Sequence, residues 1–325
     1  MIHARPIIHG LLTFLRPPSR YNCRPIETAS ARYCYSVFMR HLVKVQAATG
    51  RIPLGRIAEL GPGGSLGTGL AAMIAGAGHY FALDAQAHSD DEANLRVFDE
   101  LVELFRARAD IPGPGEFPEV RPAIADYGFP RGILDDERMA SALEPGRLEK
   151  LRRHAGGASS ADNAFVTYVA PWRGTSLIRH ETIDWIFSQA VLEHVADLPA
   201  VYRACNAWLA PNGVMSHQVD FRSHGTARTW DGHRGYGDLT WRAIRGARPY
   251  LINRESLSTH RTLARNLGFD LLAADVVTMP PELTRAQLAR RFRDWAEEDL
   301  NTAGAFVVYR KAGGGNVGTE QRLSP

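Results

Sequence analysis

One run of residues, Glu59-Leu60-Gly61-Pro62-Gly63-Gly64-Ser65-Leu66-Gly67, restricts what this chain can fold into more than any other. It follows the short apolar stretch Arg56 to Leu60 and precedes Leu66 to Ala77, whose composition predicts a helix. Glycines at a strand-to-helix turn let backbone amides approach a ligand, because no side chain stands in the way. Tyr80 to Leu83 predicts a second strand, ending at Asp84. Strand, turn, helix and strand in this order make the unit of a doubly wound, mostly parallel α/β sheet with helices on both faces.

Two ligand chemistries compete for such a turn. A dinucleotide fingerprint wants glycine at its first, third and sixth positions, so that a pyrophosphate reaches the helix N-terminus; counted from Gly61, the sixth position is Leu66. The other chemistry places an acid, here Glu59, two residues before the first glycine, within reach of the ammonium of a methionine-like group. Asp84, at the end of the second strand, suits a carboxylate that accepts hydrogen bonds from both ribose hydroxyls, a feature shared by both cofactor classes. The combination favours S-adenosylmethionine, which has an ammonium and no phosphate. Taken alone, the glycines also suit any tight turn, and Glu59 also suits a helix cap.

Upstream, residues 30–48 place Tyr33, Val37, Leu42 and Val45 near helical spacing before Gly50 and Pro53, so residues 1–54 are expected to form a helical extension. Downstream, 85–164 is far longer than one crossover connection needs. It contains an amphipathic helix (Leu95, Phe98, Leu101, Val102, Phe105), prolines at 112, 114, 118 and 122, and a polar helix about Arg147 to His154. An insert over about 88–164, serving as a lid, is the expectation. Alternation then resumes with strands Phe165–Val169 and Ile183–Ser188, a helix Leu198–Leu209, the turn Pro211-Asn212-Gly213 and a strand Val214–Val219. A helix near Ser256–Leu267, a strand Leu271–Val277, a helix Arg285–Asp299 and a strand Ala305–Tyr309 complete a domain over 55–311, and the glycine-rich tail 312–325 is expected to be disordered.

Composition narrows the partners. The chain has 325 residues, 45% hydrophobic and 22% charged, with a formal charge of +3. Lys44, Lys150 and Lys311 are its lysines, so arginine carries nearly all the positive charge, and no run of five like charges occurs; nucleic acid is not an expected partner. Cys23, Cys34 and Cys205 are odd in number and lack a CxxC pair, which fits reduced thiols in the cytoplasm. The apolar stretch Ile7–Leu15 is followed by Arg16, Arg20 and Arg24, too charged for a signal peptide's cleavage region, and is expected to be a short helix or lid. No apolar run has transmembrane length.

The ELGPGGSLG turn, the strand-ending Asp84 and the downstream run IDWIFSQAVLEHV resemble the class I, Rossmann-like S-adenosylmethionine-dependent methyltransferases, especially those acting on small molecules. That resemblance implies a seven-stranded sheet and a fourth strand that starts at Asp184 and ends at Ser188 and Gln189 beside the cofactor. Leu192-Glu193-His194 would open the next helix, and the adenine would lie near Ala170-Pro171-Trp172. Glu59, Gly61, Gly63, Ser65, Asp84 and Ser188 are then the expected cofactor-binding residues. Ser188-Gln189-Ala190 lacks the Asn/Asp-Pro-Pro signature of DNA amino-methyltransferases.

The acceptor is expected to meet SHQVDFRSHGTARTWDGHRGY, after the fifth strand, which holds His217, Asp220, His224, Trp230, Asp231 and His233. A hydroxyl acceptor needs a base, and histidine's ordinary pKa near 6.5 suits one, so His194, His217 and His224 are the catalytic candidates of equal rank. Any single histidine is more often structural than catalytic. The His and Asp spacings match no metal-ligand pattern, and no metal is expected. Trp172, Trp230 and Trp241, with Arg222 and Arg228, suit the wall of a sugar pocket, although tryptophans at loop ends commonly fill the core. Methyl transfer to a small-molecule or glycan hydroxyl is the leading expectation. A non-catalytic nucleoside-binding protein and an NAD-dependent oxidoreductase stay open at this point, as do the oligomeric state and the acceptor.

Overall fold

The computed structural model describes residues 4–15, 28–157 and 165–313. Cys23, the arginines at 16, 20 and 24, and nearly all of the expected tail lie outside them. The apolar N-terminal stretch is a helix, α1 (Ala4–Leu15). Helix α2 (Ala31–Thr49) follows, with the Ser30 hydroxyl accepting from the Tyr33 amide at its start and Gly50 at φ +70° closing it, as glycine does at helix C-termini. Strand β1 (Arg56–Leu60), helix α3 (Gly67–Ile74) and strand β2 (His79–Leu83) realise the predicted unit. The helix stops earlier than expected because Gly76 turns the backbone to φ +111°.

The insert supplies α4 (Asp91–Arg106), α5 (Asp136–Ala142) and α6 (Pro145–Ala155) before β3 (Val166–Val169). Then come β4 (Ile183–Gln189), a 3₁₀ turn at Leu192–His194, α7 (Leu198–Trp208) and β5 (Leu209–Asp220). The expected turn at Pro211-Asn212-Gly213 is a bulge within β5: Leu209 pairs with Ile183, and pairing resumes at Val214 with Trp185. Helices α8 (Asp238–Arg245) and α9 (Leu257–Asn266), strand β6 (Phe269–Thr278), the short α10 (Glu297–Asn301) and β7 (Thr302–Lys311) end the described chain.

The strands form one seven-stranded sheet of order β3-β2-β1-β4-β5-β7-β6. It is parallel from β3 to β5, with β7 antiparallel to both of its neighbours. Side chains alternate across it, as the two-residue period of a strand requires. Ile57, Trp185, Phe187, Phe306 and Val308 face the layer of α2, α3 and α4. Ala58, Ile186, Ala305, Val307 and Tyr309 face α7 and α9. Apolar burial on both faces is the main force holding such a sheet.

Among the described residues the insert has no core of its own. Phe98, Leu101, Phe105, Ile111, Ile124, Leu134, Met139, Leu148 and Leu151 join the cluster beneath α2 and α3. Buried Arg40 on α2 ties it down, donating to the carbonyls of Pro112, Val120 and Pro122 and lying 5.1 Å from the Tyr127 ring centroid. The Pro112 carbonyl also accepts from the Ser36 hydroxyl and that of Val120 from Arg121, so the buried guanidinium joins three loop carbonyls into one network.

One predicted helix is absent. Over Arg285–Asp299 the chain forms 3₁₀ turns at Arg285–Gln287 and Arg290–Phe292 before α10. Side chains and a distant carbonyl take several of its backbone groups: the Ala289 amide donates to Arg234 O, and the guanidinium of Arg285 donates to the carbonyls of Arg293 and Trp295, while the Arg234 guanidinium fixes the chain just beyond, at Leu300 O and Thr302 O, lying against Trp230 and Trp295. Leu288, Phe292 and Leu300 bury themselves as a small separate cluster around this arginine's neighbours.

Candidate active site

Strand order reverses between β1 and β4, since the chain runs from β1 to β2 and β3 on one side and from β4 to β5 on the other. In open α/β sheets the crevice beyond the strand ends at this switch is the ligand site. Two groups of residues border it.

The first is the glycine turn. Gly61 and Gly63 have φ of +68° and +79°, where a side chain is strained. The Gly61 amide donates to Leu83 O at 2.8 Å, and a Cβ at residue 61 would stand 2.6 Å from Val191 Cγ2, so the turn is pressed between β2 and the segment after β4. Thr28 closes its other side: Oγ1 accepts from the Gly64 amide at 3.0 Å and its carbonyl accepts from the Ser65 hydroxyl. Ser65 is 1% exposed, and its Oγ also accepts from the Gly67 amide, so it braces the turn from within. Asn94 of α4 caps the same helix, accepting from the Leu66 amide at 2.8 Å.

Asp84 stands across from this turn. Its Oδ1 accepts from the Ala85 amide at 2.7 Å and its Oδ2 from the Gly63 amide at 3.4 Å. Burial raises its pKa, and the amides of Ala85, Gln86 and Gly63 counter that rise. A buried carboxylate with amide partners and spare lone pairs, next to two positive-φ glycines, fits the vicinal diol of a nucleoside. Glu59 is 3% exposed and turned toward the α3 layer, where its Oε2 accepts from Tyr80 Oη at 2.5 Å. Burial pushes its carboxyl up to about 8. The Tyr80 ring lies so close over Gly69 that a Cβ there would sit 1.9 Å from Cζ, which explains a small residue in that helix turn.

The second group lies at the ends of β4 and β5. Ser188 Oγ and His217 Nδ1 are 2.8 Å apart, and both residues are fully buried, facing the interior. Burial drives the His217 imidazole down to about 3. His194 sits in the 3₁₀ turn with Nδ1 2.8 Å from Tyr250 O; a carbonyl only accepts, so Nδ1 carries the proton and Nε2 keeps its lone pair. Burial, then the neighbouring His224, lower its pKa to about 4, so it is neutral at neutral pH.

The His224 ring lies edge-on to that of His194, centroids 5.1 Å apart, with Nε2 3.4 Å from Asp220 Oδ2. His224 holds φ +46° and Ala190, after β4, φ +53°. Two non-glycine residues in this strained region flank the same strand ends. Burial works against ionisation of Asp220, but hydrogen bonds from His224 and Arg222 outweigh it and hold the carboxyl well below the usual range. Arg222 grips both Asp220 oxygens and reaches Glu119 of the insert at 2.8 Å. Gln189 Nε2 donates to Arg121 O, so the insert borders this half of the crevice. Buried Glu193 accepts from the Asp220 amide at 3.3 Å, and burial raises its carboxyl well above the ordinary range.

Not every residue singled out in the sequence meets here. Trp230 and Trp241 are buried at loop and helix positions, 5.1 Å and 4.4 Å from the guanidinium carbons of Arg234 and Arg254, and Trp172 packs on Trp208. His233 is buried, and Asp231 accepts from the amides of Glu282 and Leu283. Thr28, Asn94, Glu119 and Tyr250 were not foreseen. Each comes from a distant segment through a bond no local pattern announces, although Asn94 stands directly before the first residue of the predicted amphipathic helix.

Residues 75–274 match the family described as "Methyltransferase domain". Among solved structures the chain is similar to a protein described as a sarcosine dimethylglycine methyltransferase from Galdieria sulphuraria (17% identity, 84% of this chain and 83% of that one, TM-score 0.42). It is also similar to an S-adenosylmethionine-dependent methyltransferase from Mesorhizobium loti (14%, 86% and 98%, TM-score 0.40). No curated protein matches.

Proposed function

The chain belongs to the methyltransferase-domain family, so it is an S-adenosylmethionine-dependent enzyme, and from that premise we propose that its acceptor is a hydroxyl of a small molecule or sugar. The observation that carries this reading is the Asp220–His224 pair beside His194, at the strand ends next to the glycine turn. The bound cofactor supplies a methyl group already activated on a sulfonium. The protein's share is to align the acceptor, exclude water and take up its proton. His224 is the base in this proposal, oriented by Asp220, whose negative charge stabilises the imidazolium that forms. His194, neutral and with Nε2 open, positions the acceptor hydroxyl. His217, bonded to Ser188 in the interior, is given no step.

On the cofactor side, Gly61 and Gly63 make room and Asp84 accepts from the ribose. Glu59 and Ser65 shape the turn from beneath, and Ser188 contributes through the backbone at the end of β4. The insert acts as the lid, through the Glu119–Arg222 and Arg121–Gln189 contacts that join it to the acceptor half. Buried, unpaired Cys34 and Cys205 support a place in the cytoplasm. The test is incubation of the purified enzyme with methyl-labelled cofactor and matched panels of hydroxyl, amine and thiol compounds. Label entering hydroxyl compounds is expected; label confined to amines, thiols or carbon would overturn the proposal.

A further inference from the structure

Among the described residues, seven large hydrophobic side chains are exposed, and five of them, Ile8, Leu11, Leu12, Phe14 and Leu15, are on α1. Their exposure runs from 49% to 79%, so this is a concentrated apolar face and not the scatter of single residues that any surface shows. The helix is held to the body by its narrow side. Gly10 crosses Ala243 and Ile244 of α8 with no space for a Cβ, the Thr13 hydroxyl accepts from the Ala247 amide at 2.8 Å, and Ile7 packs on Tyr236, Trp241 and Ile244. This docking fixes the helix and turns its large side chains outward.

The charge carried by this stretch of sequence and by α8 is mainly positive, and the acid of α8, Asp238, is taken by Arg254. Residues 1–26 contain Arg5, Arg16, Arg20 and Arg24 and no Asp or Glu. Beneath α1, helix α8 and the loop after it carry Arg242, Arg245 and Arg248, with a further exposed leucine, Leu239. The guanidinium of Arg245 donates to Arg248 O and Pro249 O, and that of Arg248 donates to Arg245 O, all neutral carbonyls, and among the described residues no carboxylate pairs with either.

We propose that α1 and the arginines beneath it dock this enzyme on an anionic lipid surface, with the apolar face in the acyl boundary and the arginines at the headgroups. A helix of 12 residues is too short to span a bilayer, and no described helix is long and apolar enough to cross one. An apolar face with arginine flanks is the pattern of helices that lie in the interface plane. A second copy of the chain is a poorer occupant, because a two-fold contact through this face would bring the same arginines together.

Flotation of the full chain with phosphatidylcholine vesicles, with and without phosphatidylserine, tests this. Binding to the anionic vesicles alone, weakened by salt, is expected. Leu11→Glu with Leu12→Glu should abolish it, and Arg242→Glu with Arg245→Glu should weaken it by about tenfold or more. Both double variants should keep the parent's circular dichroism and cofactor affinity, which excludes misfolding as the cause. Absence of binding, equal binding to both vesicle types, or a dimer in light scattering that Leu11→Glu splits would each overturn the proposal.

Discussion

The two halves of the crevice are built in opposite ways. The half proposed for the cofactor centres on one stretch of chain, 59–85, braced by Thr28 and Asn94, and works mainly through backbone: positive-φ glycines, amides and a single strand-ending carboxylate. The acceptor half is assembled from side chains far apart in sequence, with Glu119, His194, Asp220, Arg222, His224 and the Tyr250 carbonyl converging on the ends of β4 and β5. A backbone cradle tolerates little change at any of its positions. A side-chain constellation can be altered one member at a time without losing the fold.

The largest effect is expected where the cradle is broken. Gly61→Val sets a branched side chain against Val191 at a φ of +68°, and Asp84→Ala removes the acceptor of two charge-assisted hydrogen bonds. Each should weaken cofactor binding by about 100-fold or more in calorimetry. Unchanged affinity in Asp84→Ala would remove the cofactor half from this crevice.

A smaller and separable effect is expected in the acceptor half. His224→Gln and Asp220→Asn should lower kcat by about 100-fold while cofactor affinity stays within a factor of about two. Equal losses in both quantities would mean that the halves are one unit and dissolve the contrast.

The smallest effect concerns Glu59. Its folded pKa of about 8 lies above the ordinary 4.5, so folding retains a proton that the unfolded chain loses across that window. The stability it contributes therefore falls as pH rises through that range. Glu59→Gln cannot titrate and should gain about 1–3 kcal/mol relative to the parent between about pH 5 and pH 9 in urea unfolding. A gain that does not depend on pH would show that the carboxyl is not buried as described.

Much of the architecture was legible in the sequence. The two strands of the unit around 56–84, the strands at 166–169 and 183–189, and helices α2, α7 and α9 stand within one or two residues of expectation, because apolar periodicity and glycine stops are local signals. Over Arg285–Asp299 the expected helix gives way to 3₁₀ turns anchored by the Ala289 amide on Arg234 O, some fifty residues upstream, and no window of sequence contains that contact. The three candidate histidines show the same divide. They look equivalent in the sequence, yet His217 is enclosed with Ser188 while His194 and His224 face one another.

What the sequence determined by itself is the doubly wound sheet and the glycine turn at its switch point, since both depend on residue spacing and on backbone freedom that only glycine has. Which histidines meet, which carboxylates keep a charge and which face of the first helix stays bare were decided by tertiary structure. Desolvation and long-range contact set those properties, and neither exists until the chain has closed on itself.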